Sequence, residues 1–531
     1  MQRRTFLASA SLAGLGLSHG IASAQQGEIV LHNGIRLAKD WPQTRRAIDY
    51  EPMEVPYLRQ RPDVIPVDVG RQLFVDDFLI EQTDLRRVYH LPRYRDPAPV
   101  VRPDEKWEMT GQNPTAMVFS DGVWFDPQDQ KFKMWYMGGY VRSVCYAESL
   151  DGETWTKPKL DVVQGTNIVH DGYRDSNTVW LDHEEKDAKK RFKMFRVVRD
   201  KPNWAIELHE SPDGILWGPG RRSGPLGDRS TVHFDPFRKR WVFGIRDHDV
   251  RVGRYRRWHE HADAAAGIGW QAGQPLVWVG ADRLDPIRDD LKTPCQLYNL
   301  DCVAYESLMV GLFDIWRGQP RDRAKPNELC IGFSRDGYHW HRPVRIAFLP
   351  VSERFGDWNW GNVQSAGGVC LIVRDKLHFY VSGRSGIRGN TQSGTSVTAL
   401  ATLRRDGFAS MVADESGTLT TRPLRFRGSH LFVNGDFARG SLEVEAIDAR
   451  GNPIEPFTRA NFRPIRVDGV KIACQWNNAA HLARLAGQPI RLRFRVAKGS
   501  LFAFWVSGSA TGESNGYVAA GGPGFRGATD S

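Results

Sequence analysis

A seven-residue phrase, Ser-x-Asp-Gly-x-x-Trp, occurs three times in the chain and constrains its fold more than any other feature. The copies lie at 149–155, 211–217 and 334–340. The second begins 62 residues after the first, and the third begins 123 residues, nearly twice that distance, after the second. This spacing predicts a structural repeat with one degenerate copy, ending near Gly269-Trp270. Because Asp-Gly favours a tight turn over which a Trp can pack, we interpret the phrase as a hairpin lock without a part in chemistry.

Strand-like runs precede each copy in the same order. They alternate apolar and polar residues and lie at 123–127, 131–136 and 144–149, at 179–182, 191–196 and 206–209, and at 232–236 and 240–245. Several short strands per unit with turn signals between them are typical of propeller blades. Blades beginning near Thr115, Asn177, Thr231, Leu297 and Gln364 give a five-bladed β-propeller.

The sequence pattern changes near residue 405. From there the repeated phrase no longer occurs, and short runs of alternating apolar and polar residues, separated by Gly and Pro, predict a β-sandwich. The fold class is therefore all-β. The predicted division is a signal peptide at 1–24, an arm at 25–66, the propeller at 67–404, the sandwich at 405–523 and a tail at 524–531.

The first 24 residues are typical of a twin-arginine export signal. Arg3 and Arg4 precede a weakly apolar run rich in Ala, Gly and Ser, which ends at the small-x-small pattern Ala22-Ser23-Ala24. A basic start followed by a short buried helix is the alternative. We expect export by the twin-arginine machinery to the periplasm or the medium. No interior stretch reaches the roughly 18 apolar residues of a spanning helix, so no integral membrane segment is expected after signal removal.

The basic charge does not by itself indicate nucleic acid. The formal net charge is +10, but Lys and Arg are interspersed with acids and no nucleic-acid motif is present. We expect no nucleic-acid partner; a solvated basic surface or attraction to an acidic polysaccharide accounts for the charge. The six cysteines show no zinc spacing, which favours buried free thiols and leaves a Cys295–Cys302 bridge open. We expect no cofactor and no catalytic metal, and leave a structural Ca²⁺ in the channel open.

A five-bladed propeller with these hairpins and a following sandwich resembles the glycosidase superfamily of arabinanases, levansucrases and invertases, in particular exported proteins similar to glycoside hydrolase family 32. The runs at 73–81 and 403–410 resemble the opening and the propeller-to-sandwich junction of that group. The resemblance implies a carbohydrate substrate and acids on the inner strands facing the channel. The chain lacks the W-x-N-D-P-N-G and Glu-Cys motifs of invertases, and Arg95-Asp96-Pro97 precedes the first blade. Catalytic residues therefore cannot be transferred by motif.

Glycoside hydrolysis needs two carboxyl groups, one protonated and one ionised, so acids at the blade starts are the candidates. We predict Glu306 as proton donor, because apolar neighbours would raise its pKa. Asp228 or Asp175 is the predicted nucleophile or base, and Asp77 is a fourth candidate in an opening strand that could close the ring. Asp301 lies five residues before Glu306, on the opposite face of a regular strand, and is predicted to bind substrate. Each of these acids could instead satisfy a turn.

The 18 tryptophans need a structural or a ligand role. Trp155, Trp217 and Trp340 belong to the repeat and are assigned to the blade core. Trp107, Trp358 and Trp360 are predicted to stack on sugar rings. The sequence thus predicts an exported glycoside hydrolase. A non-catalytic carbohydrate-binding propeller that lost its acids, and a lyase or sulfated-glycan enzyme on the same fold, stay open.

Overall fold

The computed structural model describes residues 28–42, 47–200, 203–479 and 481–531. The predicted signal at 1–24 lies outside the described residues. Five antiparallel sheets surround one axis, and each begins with its innermost strand. The strands of each blade are given from the axis outward. Blade 1 consists of Ala116–Asp126, Lys131–Gly138, Ser143–Ser149 and Ile168–His170, blade 2 of Asn177–Leu181, Phe192–Asp200, Asn203–Ser211 and Arg221–Arg222, and blade 3 of Thr231–Asp235, Arg240–Asp249, Gly253–His261 and Leu276–Gly280. Blade 4 consists of Gln296–Glu306, Leu308–Trp316 and Asn327–Ser334, and blade 5 of Asn362–Ser365, Lys376–Arg384, Ser396–Arg404 and Arg93–Val101, with Leu371–Val373 also paired to its second strand.

The five-bladed propeller predicted from the repeat is confirmed, and so is the all-β fold class. The ring is closed by Arg93–Val101, which precedes blade 1 in the chain and pairs with the third strand of blade 5, with Tyr94 opposite Ala401. The opening run at 73–81, which was expected to close the ring, pairs elsewhere.

The repeated phrase forms the predicted turn and also joins neighbouring blades. In blade 2 the Ser211 hydroxyl accepts the Gly214 N–H (2.9 Å), and the Asp213 carboxylate accepts the two N–H groups that follow Gly214 (2.8 and 2.9 Å). The Gly214 carbonyl then accepts the indole N–H of Trp135 in blade 1 (2.7 Å). Equivalent bonds link Tyr380 to Gly152 and Trp278 to Tyr338.

A β-sandwich packs beside the propeller. Its largest sheet contains strands from both ends of the chain: Gln72–Leu73, Ile80–Thr83, Arg86–Tyr89, Ala409–Thr421, His430–Asp436, Ser441–Ile447, Asp468–Ala473 and Arg491–Ser507. Residues 72–89, assigned to the propeller from the sequence, therefore pair in the sandwich. Conversely, Tyr517–Val518, which follows the last strand of the sandwich, pairs with the end of the inner strand of blade 4. The remaining short strands are Ile29–Val30 with Arg36–Leu37, and Ile65–Pro66 with Leu424–Arg425.

Helices are few and short. The α-helices are Pro56–Arg59 and Ala264–Gly267, and the 3₁₀ helices are Lys106–Glu108, Ala188–Lys190, Arg459–Asn461 and Ala483–Leu485. In the described part of the chain, no helix has the length and apolar character needed to cross a membrane. All six cysteines are buried and free, so Cys295 and Cys302 do not form a bridge.

Candidate functional site

All inner strands begin at the same end of the channel, which we call the mouth. Because each blade is an antiparallel meander starting at the axis, the residues before its inner strand and the hairpin between its second and third strands lie at that end. Direct bonds join neighbouring blades at this end. The Ser176 hydroxyl, before the inner strand of blade 2, donates to the Ser230 carbonyl before that of blade 3 (3.3 Å). The Ser396 N–H, at the start of the third strand of blade 5, donates to the Pro114 carbonyl before the inner strand of blade 1 (2.8 Å). Side chains from different blades therefore converge at the mouth.

Asp301 is bonded to inner-strand residues of three blades through one of its two carboxylate oxygens. Its Oδ2 accepts bonds from the hydroxyls of Ser120 (2.8 Å) and Ser365 (2.5 Å) and from the Asn299 amide (2.9 Å). The residue is buried. Asp301 thus joins the inner strands of blades 1, 4 and 5 through Oδ2, and its contact with substrate stays a prediction.

A buried ion pair positions Asp175. Arg174 binds the Asp121 carboxylate with both terminal nitrogens, and its Nε donates to the Asp175 carbonyl (2.8 Å). The Asp175 N–H donates to the Val197 carbonyl (2.8 Å). The backbone of Asp175 is therefore fixed on both sides, and its side chain is held at the start of blade 2.

Asp175 and Asp228 form a pair of unlike carboxyl groups at the mouth. Asp175 accepts the Ser176 N–H through Oδ1 (2.9 Å), and no bond to Oδ2 is formed among the described residues. Asp228 has a side chain 38% exposed and lies 3.2 Å from Arg246 Nε. Burial, and next the negative charge of Asp228, raise the pKa of Asp175, against the charge of Arg229. The negative charge of Asp228 therefore makes it harder for Asp175 to lose its proton.

Two tyrosines adjoin this pair. Tyr173 is 47% exposed, and burial followed by the charges of Asp175 and Asp228 raises its pKa. Tyr140, on the hairpin of blade 1, has its pKa lowered mainly by the positive charge of Arg384, while Asp175 acts in the opposite direction. An exposed aromatic ring beside two carboxyl groups can stack on a sugar. The sequence analysis did not propose Tyr173. Its position two residues before the candidate acid Asp175 was the one signal for it in the sequence.

Arg229 follows Asp228 and reaches across the axis. Its guanidinium donates to Gln364 Oε1 (3.0 Å) and to the Ser120 hydroxyl (3.1 Å), and lies 3.5 Å from the centre of the Phe119 ring. Both Arg229 (φ 59°) and Ser120 (φ 62°) have left-handed backbones. Such conformations cost free energy in non-glycine residues and concentrate at functional sites.

Asp314 is an acid that the sequence analysis missed. It lies in the second strand of blade 4, opposite Asn299, and its Oδ1 is buried without a hydrogen-bond partner. Burial raises its pKa to about 7, although Arg229 acts to lower it. The sequence did contain a signal for Asp314. In blade 5 an inner-strand Asn, Asn362, lies opposite a charged residue of the second strand, Arg384, as Asn299 lies opposite Asp314 in blade 4.

Glu306 is far from this cluster, at the opposite end of its strand. The carboxylate is fully buried, lies 3.4 Å from Arg71 and 3.1 Å from Arg405, and accepts the Ser514 hydroxyl (2.7 Å). Burial raises its pKa against the opposing charges of the two arginines. These partners come from the junction with the sandwich, so Glu306 joins the two domains and does not lie with Asp175 and Asp228.

Asp77 is also remote from the channel. Its side chain is 62% exposed and binds Arg87 (2.5 Å) in the sandwich sheet region. The neighbouring Asp76 is buried against Arg335 of blade 4 (2.8 Å). The opening segment therefore fastens the sandwich to the propeller, because its strands pair there and not with a blade.

The three tryptophans predicted to stack on sugar are held by protein contacts. Trp107 donates its indole N–H to Asn167 (3.0 Å), and Trp358 packs edge-on against Tyr94 (5.1 Å between ring centres). Trp360 lies near the mouth but is 7% exposed, because Phe355 and Arg323 cover its ring. Trp360 is therefore covered, whereas Trp107 and Trp358 are half-buried and their stacking on sugar stays a prediction. In the described part of the chain, no group of three or more His, Cys, Asp or Glu side chains is placed to hold a metal ion.

Comparison with known proteins gives only distant similarities. No protein-family model and no curated protein matches the chain. An N-acetylgalactosamine deacetylase from F. plautii, solved with blood group B trisaccharide, is similar over 60% of this chain and 96% of its own, at 14% identity and a TM-score of 0.44. A fructofuranosidase from Schwanniomyces occidentalis, complexed with fructosylnystose, is similar over 76% and 96%, at 10% identity and a TM-score of 0.37. A thermostable family-43 glycoside hydrolase is similar over 55% and 95%, at 12% identity and a TM-score of 0.36. These similarities do not identify a reaction for this chain.

Proposed function

We propose that the protein is a glycoside hydrolase that cleaves a glycosidic bond of an oligo- or polysaccharide at the channel mouth. Asp175 is the proton donor and Asp228 the ionised partner. The observation that carries the proposal is the unlike pair itself: a carboxyl group with a raised pKa lies beside an exposed carboxylate held by Arg246. Glycosidases require two carboxyl groups in these two states.

The chemistry follows from the charges around the pair. Ionising Asp175 would place a second negative charge beside Asp228, so its carboxyl group keeps its proton until it can transfer it to the leaving glycosidic oxygen. Arg246 lies 3.2 Å from Asp228, and that carboxylate can either attack the anomeric carbon or activate a water molecule. The exposed ring of Tyr173 offers a face for the sugar.

The test is sugar release from a panel of oligosaccharides. We expect Asp175→Asn and Asp228→Asn each to lower turnover by about 100-fold or more. Asp414→Asn, which changes an exposed carboxylate of the sandwich, is the matched control and keeps the wild-type rate. Wild-type turnover in both site variants would overturn the assignment of the two residues.

A non-catalytic carbohydrate-binding propeller is the second candidate. It is favoured by the inner strands, where Asp301 Oδ2 accepts bonds from two serines, and Asn299 and Gln364 provide neutral polar groups. Binding of a glycan by the wild-type protein without release of any sugar from the panel would support this candidate over hydrolysis.

Export by the twin-arginine machinery belongs to the proposal as well. It rests on the twin arginine and the cleavage pattern of the first 24 residues. Cell fractionation tests it: the wild-type chain is expected outside the cytoplasm, and Arg3→Lys combined with Arg4→Lys is expected to retain it inside. Equal distribution of both chains would contradict export by this route.

A further inference from the structure

Four cationic side chains gather at the mouth without a carboxylate in ion-pair contact among the described residues. They come from three blades: Arg229 and Arg256 from blade 3, Lys325 from blade 4 and Arg384 from blade 5. Most arginines elsewhere in the propeller interior do have such a partner, as Arg174 has Asp121 and Arg342 has Asp285. The exception at the mouth therefore requires an explanation.

Among the described residues, the direct contacts of the two arginines of blade 3 are with dipoles. The charges of Asp301 and Asp314 act on Arg229, and those of Asp228 and Asp301 act on Arg256, from beyond ion-pair distance. Arg256 donates to the carbonyl groups of Arg229 (2.6 Å) and Tyr298 and to the Asn299 amide oxygen (3.3 Å). Burial, followed by the charges of Arg229 and Arg246, lowers the pKa of Arg256 to about 9. Burying an arginine without a counter-charge is costly in free energy, because the hydration it loses is not replaced by an ionic contact.

The other two cations reach the mouth from blades 4 and 5. Arg384 is 5% exposed, donates to the Ser393 hydroxyl (3.2 Å) and has a buried Nε for which the described residues provide no hydrogen-bond acceptor. Lys325 is half-buried, and its Nζ lies 4.6 Å from the centre of the Tyr298 ring. The Nε of Arg256 likewise lacks a partner. Buried donors without acceptors are rare in folded proteins, and those at a binding site are available to a ligand.

The carboxyl groups nearest to these cations offset only part of their charge. Asp301 and Asp314 both act on Arg229, but burial raises the pKa of Asp314 to about 7, so that this group is only partly ionised near neutral pH. Asp228 acts on Arg256 but is already paired with Arg246, so the mouth still carries more cations than carboxylates. Arg384 lies 5.9 Å from the centre of the Tyr140 ring, on the blade 1 hairpin at the mouth. The charges of Arg384, Lys325 and Asp175 all act on the pKa of this tyrosine.

We infer that the glycan bound at the mouth is anionic, and that a carboxylate or sulfate group on one of its sugars binds Arg384 and Lys325, with Arg229 and Arg256 behind them. Arginine binds both groups through paired charge-assisted hydrogen bonds, and the same site serves either anion. The inference rests on the proposed function for the position of the sugar beside Asp175. It concerns binding, however, and can be measured without turnover.

The experiment is calorimetric titration of the Asp175→Asn variant, which leaves the ligand intact. The ligands are an oligogalacturonide and its carboxyl-reduced form, and a sulfated galactan oligosaccharide and its desulfated form. We expect at least one anionic member to bind about 10-fold or more tightly than its neutral counterpart. Whichever anionic ligand shows the larger gain in affinity over its neutral counterpart, the galacturonide or the sulfated galactan, shows whether the site prefers carboxylate or sulfate.

Two variants locate the binding group. Arg384→Gln and Lys325→Gln, each combined with Asp175→Asn, are expected to bring the anionic ligand close to the affinity of its neutral counterpart. Lys325 is half-buried, so its variant keeps the fold even if Arg384→Gln does not. Arg427→Gln, at an exposed position of the sandwich, is the matched control and retains the preference.

Equal affinity for charged and neutral ligands in the Asp175→Asn protein, or an undiminished preference in both site variants, would overturn the inference. Failure of the proposed function is a different result. If the wild-type protein binds the anionic glycan with the expected preference but releases no sugar from it, the anion site stands and hydrolysis does not.

Discussion

Asp314 is a carboxyl group buried in a blade strand with only one weak hydrogen bond, from the Asn327 amide at 3.5 Å. Burial raises its pKa from the ordinary 3.8 to about 7. Below about pH 4 the group is protonated in both the folded and unfolded chains and has no effect on pH dependence. Between about pH 4 and pH 7 the unfolded chain releases the proton and the folded chain keeps it, so stability falls as pH rises. The loss is complete above about pH 7 and amounts to about 4 kcal/mol.

Asp314→Asn should remove this pH dependence. Relative to wild type, the free energy of unfolding of the variant is expected to rise between pH 4 and pH 8 by up to about 4 kcal/mol. Urea denaturation at several pH values measures it. Asp414→Asn is the control, because that exposed carboxylate should give no pH-dependent difference. A constant difference between Asp314→Asn and wild type across this range would contradict the raised pKa.

Glu306 is a second buried carboxyl group, but unlike Asp314 it accepts hydrogen bonds through both of its oxygens. Glu306→Gln leaves Arg71 and Arg405 with less counter-charge, and we expect a loss of about 3 to 5 kcal/mol in the free energy of unfolding. Turnover per folded molecule should be unchanged, because the residue lies away from the mouth. A variant that kept its stability and lost its turnover would restore Glu306 as the proton donor.

At the scale of single elements, the turn of the repeated phrase determines how closely neighbouring blades approach. Gly214 has a left-handed backbone (φ +80°), and a Cβ added there would lie 2.3 Å from the Trp135 ring. Gly165 is also left-handed (φ +73°), but a Cβ there meets nothing within 4 Å. The two positions therefore separate the cost of the backbone conformation from the cost of steric overlap.

Gly165→Ala should lower the free energy of unfolding by about 1 to 2 kcal/mol, the cost of a left-handed alanine. Gly214→Ala should lower it by at least about 2 kcal/mol more, because Trp135 must move and its bond to the Gly214 carbonyl is strained. Urea denaturation of both variants at one pH compares them. Equal losses would mean that the turn does not hold the blades together.

Elements with a local signal could be predicted from the sequence. The turn phrase and the strand alternation depend on neighbours in the chain, and the blade starts at Asn177 and Thr231 coincide with inner strands. Asp175 and Asp228 were found for the same reason, since each precedes such a strand. Glu306 could not be assigned, because its partner Arg71 lies 235 residues away in the chain. Burial and charge from distant segments decide the role of an acid, and sequence periodicity does not report them.

At the scale of the whole molecule, the chain passes repeatedly between the two domains. Gln72–Leu73 lies in the sandwich and Arg93–Val101 in blade 5, while Arg491–Ser507 lies in the sandwich and Tyr517–Val518 in blade 4. Buried ion pairs join the domains at the same places: Arg71 binds Asp406 at 2.8 Å and Arg335 binds Asp76 at 2.8 Å. Unfolding either domain alone would strip strands from the other and expose these charges.

We therefore expect the propeller and the sandwich to unfold in one cooperative transition. In calorimetry the wild-type protein should show a single peak, and tryptophan fluorescence and far-ultraviolet circular dichroism should give the same midpoint. Asp406→Asn removes one of the two ionic partners of Arg71 and weakens the junction, so it should lower the midpoint or divide the transition. Asp414→Asn, on the outer surface of the sandwich, should leave the transition as in wild type. Two separate transitions in the wild-type protein would show that the domains are stable independently, and that the buried ion pairs between them orient the sandwich without coupling its stability to that of the propeller.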